Sequence, residues 1–467
     1  MRHQLPLRTA LIGIPVASGL IAVLSPAWTR GTTTADHPVL ALVLLLGTAS
    51  LIWLVMLWAF TRSASSRSTS NVSSIFLVAL FLSGLIARLF FFGSTPVYED
   101  DWERYLWGGA VTAQGLNPYA HSPEEVMLAA EPGTASQPDL ARLALLSTTA
   151  DGTVEQINNA SLTTLYPPVA QAAFALAHWI DPFGEDGLRI VFLLSDLAAL
   201  ILLRLALARW GRPQSWAAIY WLNPVLIFTV YSGLHMDILL MAPMLAALIL
   251  AKTRPLFAGL ALSLAAGIKM WPLLLAPLLF RHLRTRPARL IIVGATVTAA
   301  SLFLFTPLLL SLSPESGLSA YASGWVNSSF LFPGLREALS LISDTPDPLA
   351  RYTVALILVL ASLGLGLLAP DDDRAVPVQA LGLIALLIWL SPTGYPWYLI
   401  WLLPFLALAP RLWVGAVFVG ATAYYGRFWL GEADLYSLYT LGLVPLWFGL
   451  PLLLFALQWR QPHDRRA

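Results

Sequence analysis

The chain has 467 residues, 57% of them hydrophobic and only 11% charged, with 27 basic against 26 acidic side chains. A soluble globular protein carries roughly 25% charged residues, so this surface would not stay dispersed in water and most of it has lipid as its solvent. A net charge of +1 with no basic stripe excludes nucleic acid as a partner, and the absence of Cys excludes disulfides, thiol catalysis and Cys-ligated zinc or iron–sulfur centres.

A transmembrane helix needs about 20 mostly apolar residues. In chain order such stretches are expected at 7–27, 38–60, 73–93, 188–208, 214–232, 236–252, 288–309, 349–368, 376–391, 396–410, 411–429 and 437–458. The stretch 255–283 contains Pro272 and Pro277 and reads as two short helices, 255–268 and 271–283, meeting at Lys269-Met270. That gives fourteen. The first follows Arg2 and Arg8 as a signal peptide would, but no A-x-A-like cleavage site comes after it, so it is read as a helix. With the N-terminus in the cytoplasm, eighteen basic residues fall inside and seven outside, the asymmetry that cytoplasmic loops show. Both termini are then cytoplasmic, and 94–187 and 310–348 are external loops. The first of these holds thirteen of the 26 acidic residues. Within it, Tyr166-Pro167-Pro168 opens a short amphipathic helix to Ile180, expected to lie at the interface with His178 and Trp179 as anchors. The Ser-rich 63–74 is expected as a cytoplasmic turn.

The segment most suggestive of chemistry is Tyr98-Glu99-Asp100-Asp101-Trp102-Glu103-Arg104-Tyr105-Leu106-Trp107-Gly108-Gly109, running on to Gly115-Leu116-Asn117-Pro118-Tyr119. Four carboxylates within five residues repel one another, and next to apolar helices at least one has a raised proton affinity, which suits a general base. A solvated acidic turn is the plain alternative. Five aromatics and Arg104 in the same segment argue against mere solubilisation. Lys269, at the tip of the 255–283 hairpin, costs roughly 2.5–3.5 kcal/mol in apolar surroundings unless it meets an anion or snorkels. Arg88, near the end of its span, snorkels more easily. Asp196 lies inside a span without an evident partner. His235 and Asp237 stand at the junction of two spans, as cavity contacts or as helix caps. Tyr321, Trp325 and Tyr395 could stack on sugar faces or anchor at the interface. No second His stands at a ligand spacing, so a His-based metal site is not expected.

Asp101-x-x-Arg104-Tyr105, Gly115-x-Asn117-Pro118-Tyr119 and Tyr166-Pro167-Pro168 resemble the first external loop of GT-C glycosyltransferases. So do Asn223-Pro224, Ser232-Gly233-Leu234-His235-Met236-Asp237, Lys269-Met270-Trp271-Pro272 and Trp325-x-Asn327-Ser328-Ser329 in the regions that follow. The nearest resemblance is to family-87 mannosyltransferases that use polyprenyl-phosphate mannose, and more distantly to the first mannosyltransferase of GPI-anchor assembly. It covers roughly 73–410. It implies an all-α polytopic membrane fold of GT-C type with about fourteen helices, some short or broken, and a large external catalytic loop. Residues 73–410 would be the catalytic core, 1–72 an N-terminal two-helix segment and 411–467 a C-terminal helix pair with a cytoplasmic tail.

The implied reaction moves a hexose, mannose by the resemblance, from a polyprenyl-phosphate donor to a lipid or glycan acceptor at the outer membrane face, with inversion. Asp101 is the implied base, with Asp100 second. Lys269, Arg104 and Arg88 are the cations available to the donor phosphate, and Asn117, Tyr119, Tyr166, His235, Asp237, Trp325 and Tyr395 the substrate contacts. Relatives often carry Asp-x-Asp where this chain has Glu99-Asp100-Asp101, which leaves a divalent metal open but not expected to be required; no other cofactor is implied. A bacterial inner membrane fits the resemblance. The rival from another class is a transporter or lipid flippase, for which many helices, Asp196 and the broken hairpin are natural features. A transporter would gather its charges near the midplane, whereas here they lie in a loop. A non-catalytic subunit of a glycan assembly complex shares the same features.

Overall fold

The computed structural model describes residues 4–28, 39–63, 74–131, 137–150, 152–314 and 316–459. The turn expected at 63–74 therefore lies almost entirely outside the described residues. What is described is helical, and the pairing of Asn327 with Thr393 is an isolated bridge. Among the described residues, six helices are long and apolar enough to cross a membrane: Leu5–Trp28, Val39–Arg62, Glu185–Arg209, Pro287–Leu310, Pro346–Leu367 and Tyr436–Leu457. Pro224–Tyr231 and Met236–Leu250 form a seventh only as a pair, bent by 113°. These helices mark an integral membrane protein.

The fourteen expected spans are thus not all continuous helices. Ser74–Leu89, Pro255–Ala266, Val376–Leu390 and Pro396–Leu408 are apolar but shorter than a span. The physical reason is punctuation that hydropathy does not weigh. Pro224, Pro255, Pro272 and Pro396 each sit in the first turn of a new helix, where a missing N–H costs nothing but the preceding helix cannot continue. The hairpin expected at 255–283 is broken at the expected place, Pro255–Ala266 giving way to Trp271–Leu275 and Ala276–Phe280.

The described residues of 94–187 include the helices Asp101–Ala113, Pro123–Ala129, Pro138–Ser147 and Pro168–Ile180. Asp101–Ala113 packs closely on Pro168–Ile180. Gly109 allows it, because a Cβ there would collide with the backbone carbonyl of Phe174. The expected interfacial anchors separate: Trp179 is exposed, whereas His178 turns inward, edge-on to Phe183 at 4.9 Å.

One buried ion pair ties the first half together. Arg88 Nε donates to Asp196 at 2.7 Å, both side chains fully buried, and Arg88 also donates to the carbonyls of Gly84 and Trp221 while its guanidinium lies 3.5 Å over the Trp221 ring. Tyr220 and Tyr231 donate their hydroxyls to the same carboxylate at 2.7 and 2.9 Å. A charge pair survives in low dielectric when most of its remaining hydrogen-bonding capacity is filled in this way. Asp196 therefore has its partner, and Arg88 is removed from the cations that could reach a donor phosphate.

Two polar clusters lie at opposite ends of the bundle. Met236–Leu250 begins beside Asp237 and ends just before Lys252, which puts roughly 25 Å between them. At the Lys252 end, Lys252 bonds Asp371 and Asp373, Arg281 bonds Gln379 and the Asp372 carbonyl, and Trp210 donates to the Asp373 carbonyl. The Asp237 end carries the candidate site.

Candidate functional site

The site is assembled from chain breaks. Ser94 to Asp100 is an irregular stretch leading into Asp101–Ala113, whose first turn carries Asp101 and Glu103 where the helix dipole favours negative charge. Asn223 caps Pro224–Tyr231 through Leu226 N, and that helix ends so that Gly233 and Leu234 deliver His235 and Asp237 to the same place. Gly267 brings the third piece. Its carbonyl accepts from Val169 N at 3.0 Å, and a Cβ there would strike the Val169 side chain, so the hairpin tip bearing Lys269 docks against the start of Pro168–Ile180. Tyr98 and Leu234, with φ of 54° and 55°, hold the left-handed backbone that non-glycine residues avoid. Each immediately precedes a site residue, and strain of this kind persists where the surroundings over-determine it.

Asp101 lies where these pieces meet. Its side chain is 33% open, yet protein walls enclose it. Tyr166 donates its hydroxyl to it, and His235 Nδ1 is 4.0 Å from its Oδ2. Burial, and secondly the charge of Asp100, push the Asp101 carboxyl up to about 6, against the pull of Lys269, Arg104 and the Tyr166 hydrogen bond. Asp100 faces elsewhere, accepting from Asn158 Nδ2 at 2.7 Å.

Lys269 Nζ bonds Asp237 at 2.7 Å, and Trp401 Nε1 donates to the same carboxylate oxygen at 2.7 Å. The ammonium also lies 4.1 Å from the Tyr398 ring centre and 5.1 Å from that of Trp401. An aromatic wall continues from there, with Tyr395 stacked on Trp397 at 4.4 Å and Trp397 on His235 at 3.5 Å. Tyr321 bonds the hydroxyls of Tyr398 and Thr393 at 2.8 and 2.9 Å.

Asp101, His235, Asp237, Lys269, Tyr166 and Tyr395 are therefore brought together. His235 is not a cap, since its side chain makes no capping hydrogen bond. Arg104 is close but occupied: its guanidinium donates to the carbonyls of Asn158, Asn159 and Leu162 and so folds the 158–162 loop. This corrects its reading as a free phosphate ligand. Asn117 and Tyr119 lie one layer back. Asn117 bonds Ser311 Oγ and Tyr119 N, while the Tyr119 hydroxyl donates to the Tyr166 carbonyl at 2.8 Å and thereby sets the phenol that touches Asp101. Trp325 is half-buried, its ring 6.1 Å from that of Tyr321, with its carbonyl accepting from Arg351.

Sequence reasoning missed Glu99, Arg427, Tyr398 and Trp401. Glu99 is buried with Oε2 3.8 Å from His235 Nε2, and Arg427 adds positive charge nearby while bonding Asn327 Oδ1 at 3.1 Å. A lone Arg within an apolar stretch and the Glu of Glu-x-Asp were the signals present. Among the described residues, no group of three or more His, Asp or Glu side chains is arranged to hold a metal ion.

A carboxylate of near-neutral proton affinity beside an aromatic wall and a half-buried cation can take a proton from a hydroxyl while an anion is held close by. No curated protein and no solved structure matches the chain. The family model described as Glycosyltransferase family 87 matches residues 164–393, a segment that includes Tyr166, His235, Asp237, Lys269 and Trp325 and stops just before Tyr395. The match supports glycosyltransferase activity with a sugar donor and an acceptor as substrates. Over those residues the chain is similar to Glycosyltransferase family 87, in agreement with the resemblance drawn from its motifs.

Proposed function

We propose that the protein is an inverting glycosyltransferase that moves a hexose, mannose in our reading, from a polyprenyl-phosphate donor to a lipid or glycan acceptor at the outer face of a bacterial inner membrane. The observation that carries this reading is the Asp101 carboxylate, partly open and set between Tyr166 and His235 near Lys269. Asp101 takes the proton of the acceptor hydroxyl as that oxygen forms its bond to the anomeric carbon. The bond from the same carbon to the phosphate oxygen breaks, its electron pair leaving with the polyprenyl phosphate. One displacement inverts the carbon, so a β-linked donor gives an α-glycoside. Position supplies much of the rate.

The leaving phosphate needs positive charge, and Lys269 is the partly exposed cation at this site. It keeps donors beyond the one given to Asp237, whose carboxylate shares its charge with Trp401. The test is incubation of purified protein with radiolabelled polyprenyl-phosphate mannose and a membrane lipid or glycan extract. Label on an acceptor is expected. Donor movement across proteoliposomes without transfer would establish the flippase instead, although the Arg88–Asp196 pair, its carboxylate already taken by Arg88, Tyr220 and Tyr231, offers little to couple to.

A further inference from the structure

The His235 ring is fully buried and stacked on Trp397, so it cannot turn, yet neither of its nitrogens has a hydrogen-bond partner. Buried polar atoms left unpaired are costly and call for an explanation. Both nitrogens aim at carboxyl groups: Nε2 is 3.8 Å from Glu99 Oε2 and Nδ1 is 4.0 Å from Asp101 Oδ2. Glu99 Oε1 is itself unpaired. The three groups form a line that a shift of roughly 1 Å closes into two hydrogen bonds, the tightening that active sites show when substrate enters.

A neutral imidazole donates through one nitrogen and accepts through the other. Asp101, ionised to act as a base, can only accept, so Nδ1 must carry the hydrogen and Nε2 needs a donor. Glu99 can be that donor only if it keeps its proton. Its setting favours this. Among the described residues, no basic nitrogen other than those of His235 lies within 4 Å of its carboxyl group, and Arg427 bonds Asn327 while its guanidinium lies over Tyr424 and Phe428.

We propose that Glu99 works in its protonated form, donating a hydrogen bond to His235 Nε2 so that the Nδ1–H of the ring holds the Asp101 carboxylate in register with the acceptor hydroxyl. Glu99 and His235 are positioning residues here, and the inference rests on Asp101 being the base. No further proton moves: when Asp101 takes the acceptor proton on one oxygen, the other still accepts from Nδ1.

The arrangement has a pH signature. Facing Glu99 are Asp100 and Asp101 from its own segment, His235, Arg427, and the phenols of Tyr395, Tyr424, Tyr425 and Tyr439. Burial outweighs the pull of Arg427 and pushes the Glu99 carboxyl up to about 8, with Asp101 and Asp100 adding to the rise. The working form is the protonated one, present below that value and lost as pH rises through it. Glu99→Gln replaces the O–H donor with an N–H donor that does not titrate.

Transfer by the wild type should fall above pH of about 8. Glu99→Gln should keep transfer within about threefold of wild type at pH 7 and lose that alkaline fall, Glu99→Ala should lose about 10- to 100-fold, and His235→Asn should recover part of what His235→Ala loses. A Glu99→Gln variant as impaired as Glu99→Ala, or one that keeps the alkaline fall, overturns the proposal while leaving the transferase reading intact. Infrared difference spectra judge it without turnover. The wild type minus Glu99→Gln difference should show a protonated-carboxyl band at pH 7 that fades above about 8, and absence of the band at pH 7 overturns the proposal whatever the transfer assay gives. Absence of transfer by the wild type would instead remove the transferase reading.

Discussion

The chain has two lysines, one in each polar cluster, and both are paired with aspartates. Lys252 is 32% exposed and bridges Asp371 and Asp373 at 3.1 and 2.8 Å, themselves 38% and 47% exposed. Lys269 is 20% exposed and meets one aspartate, Asp237, that is only 2% exposed, beneath the rings of Tyr398 and Trp401. The first is a surface strap, screened by water and salt and worth about 0–1 kcal/mol per pair. The second is a buried pair in which loss of one member strands the other at a cost of about 3–5 kcal/mol. A protein that only needed its loops fastened would use the first design. The second keeps a cation in low dielectric, which is the setting our proposal needs at the donor phosphate.

The sharpest way to break the comparison is to ask whether the two ends face different compartments. In this chain without Cys, Asp139→Cys on the site side should react with an impermeant thiol reagent in intact cells, and Asp373→Cys should not. The reverse pattern would put the candidate site in the cytoplasm. Next in size is Asp101→Asn, which keeps the shape and most hydrogen bonds but cannot take a proton. Turnover should fall by a factor of about 10²–10⁴ with donor binding nearly kept. In the wild type the working form of Asp101 is ionised, so the rate should climb as pH rises through about 6. An Asp101→Asn enzyme with normal turnover removes the base assignment.

Lys269→Ala should raise the donor KM by about tenfold or more, with Lys269→Arg keeping part of the affinity. It also leaves the buried Asp237 carboxylate with the Trp401 hydrogen bond but no countercharge, so the single variant loses stability as well. Changing both, Lys269→Ala with Asp237→Ala, should restore much of the Tm and none of the donor affinity. Recovery of both together would make the pair a structural element only.

How much of this could be read in the chain depends on whether the signal is local. Asp101 opening Asp-x-x-Arg-Tyr, the Gly267 to Pro272 break that exposes Lys269, and His235-x-Asp237 after Asn223-Pro224 are short patterns, and the structure brings their residues into one place. Arg88 was misassigned because its partner lies 108 residues away, and nothing near it in the chain marks a buried carboxylate. Arg104 was likewise given to substrate when three carbonyls more than fifty residues downstream claim it. Trp401 reaches Asp237 across 164 residues. The count of about fourteen spans is not confirmed, for a different reason. Hydropathy measures what lipid tolerates and is blind to proline breaks, which make several apolar stretches too short to cross as single helices.

A smaller effect is expected at Asp100. Its charge raises the proton affinity of Asp101, while its own carboxylate is engaged by Asn158. Asp100→Asn should therefore move the acid limb of the rate profile to lower pH and change the rate at pH 7 by only about a few fold. A loss as large as that of Asp101→Asn would transfer the base assignment to Asp100.

The smallest effect belongs to the other lysine and sets the scale for the rest. Lys252→Ala removes a cation from between Asp371 and Asp373, but both carboxylates stay in contact with water and Arg281 Nε remains 3.8 Å from Asp371. No charge is stranded in low dielectric, so the loss should be about 1 kcal/mol or less and should shrink as salt is raised. The nearest site residue is at the far end of Met236–Leu250, and no change in donor KM or turnover is expected. A Tm shift of a few degrees that persists at high salt would mean the strap is more deeply coupled to the bundle than its exposure implies. A changed donor KM would mean that the two ends are coupled through Met236–Leu250, the helix that runs from the partner of Lys269 towards Lys252.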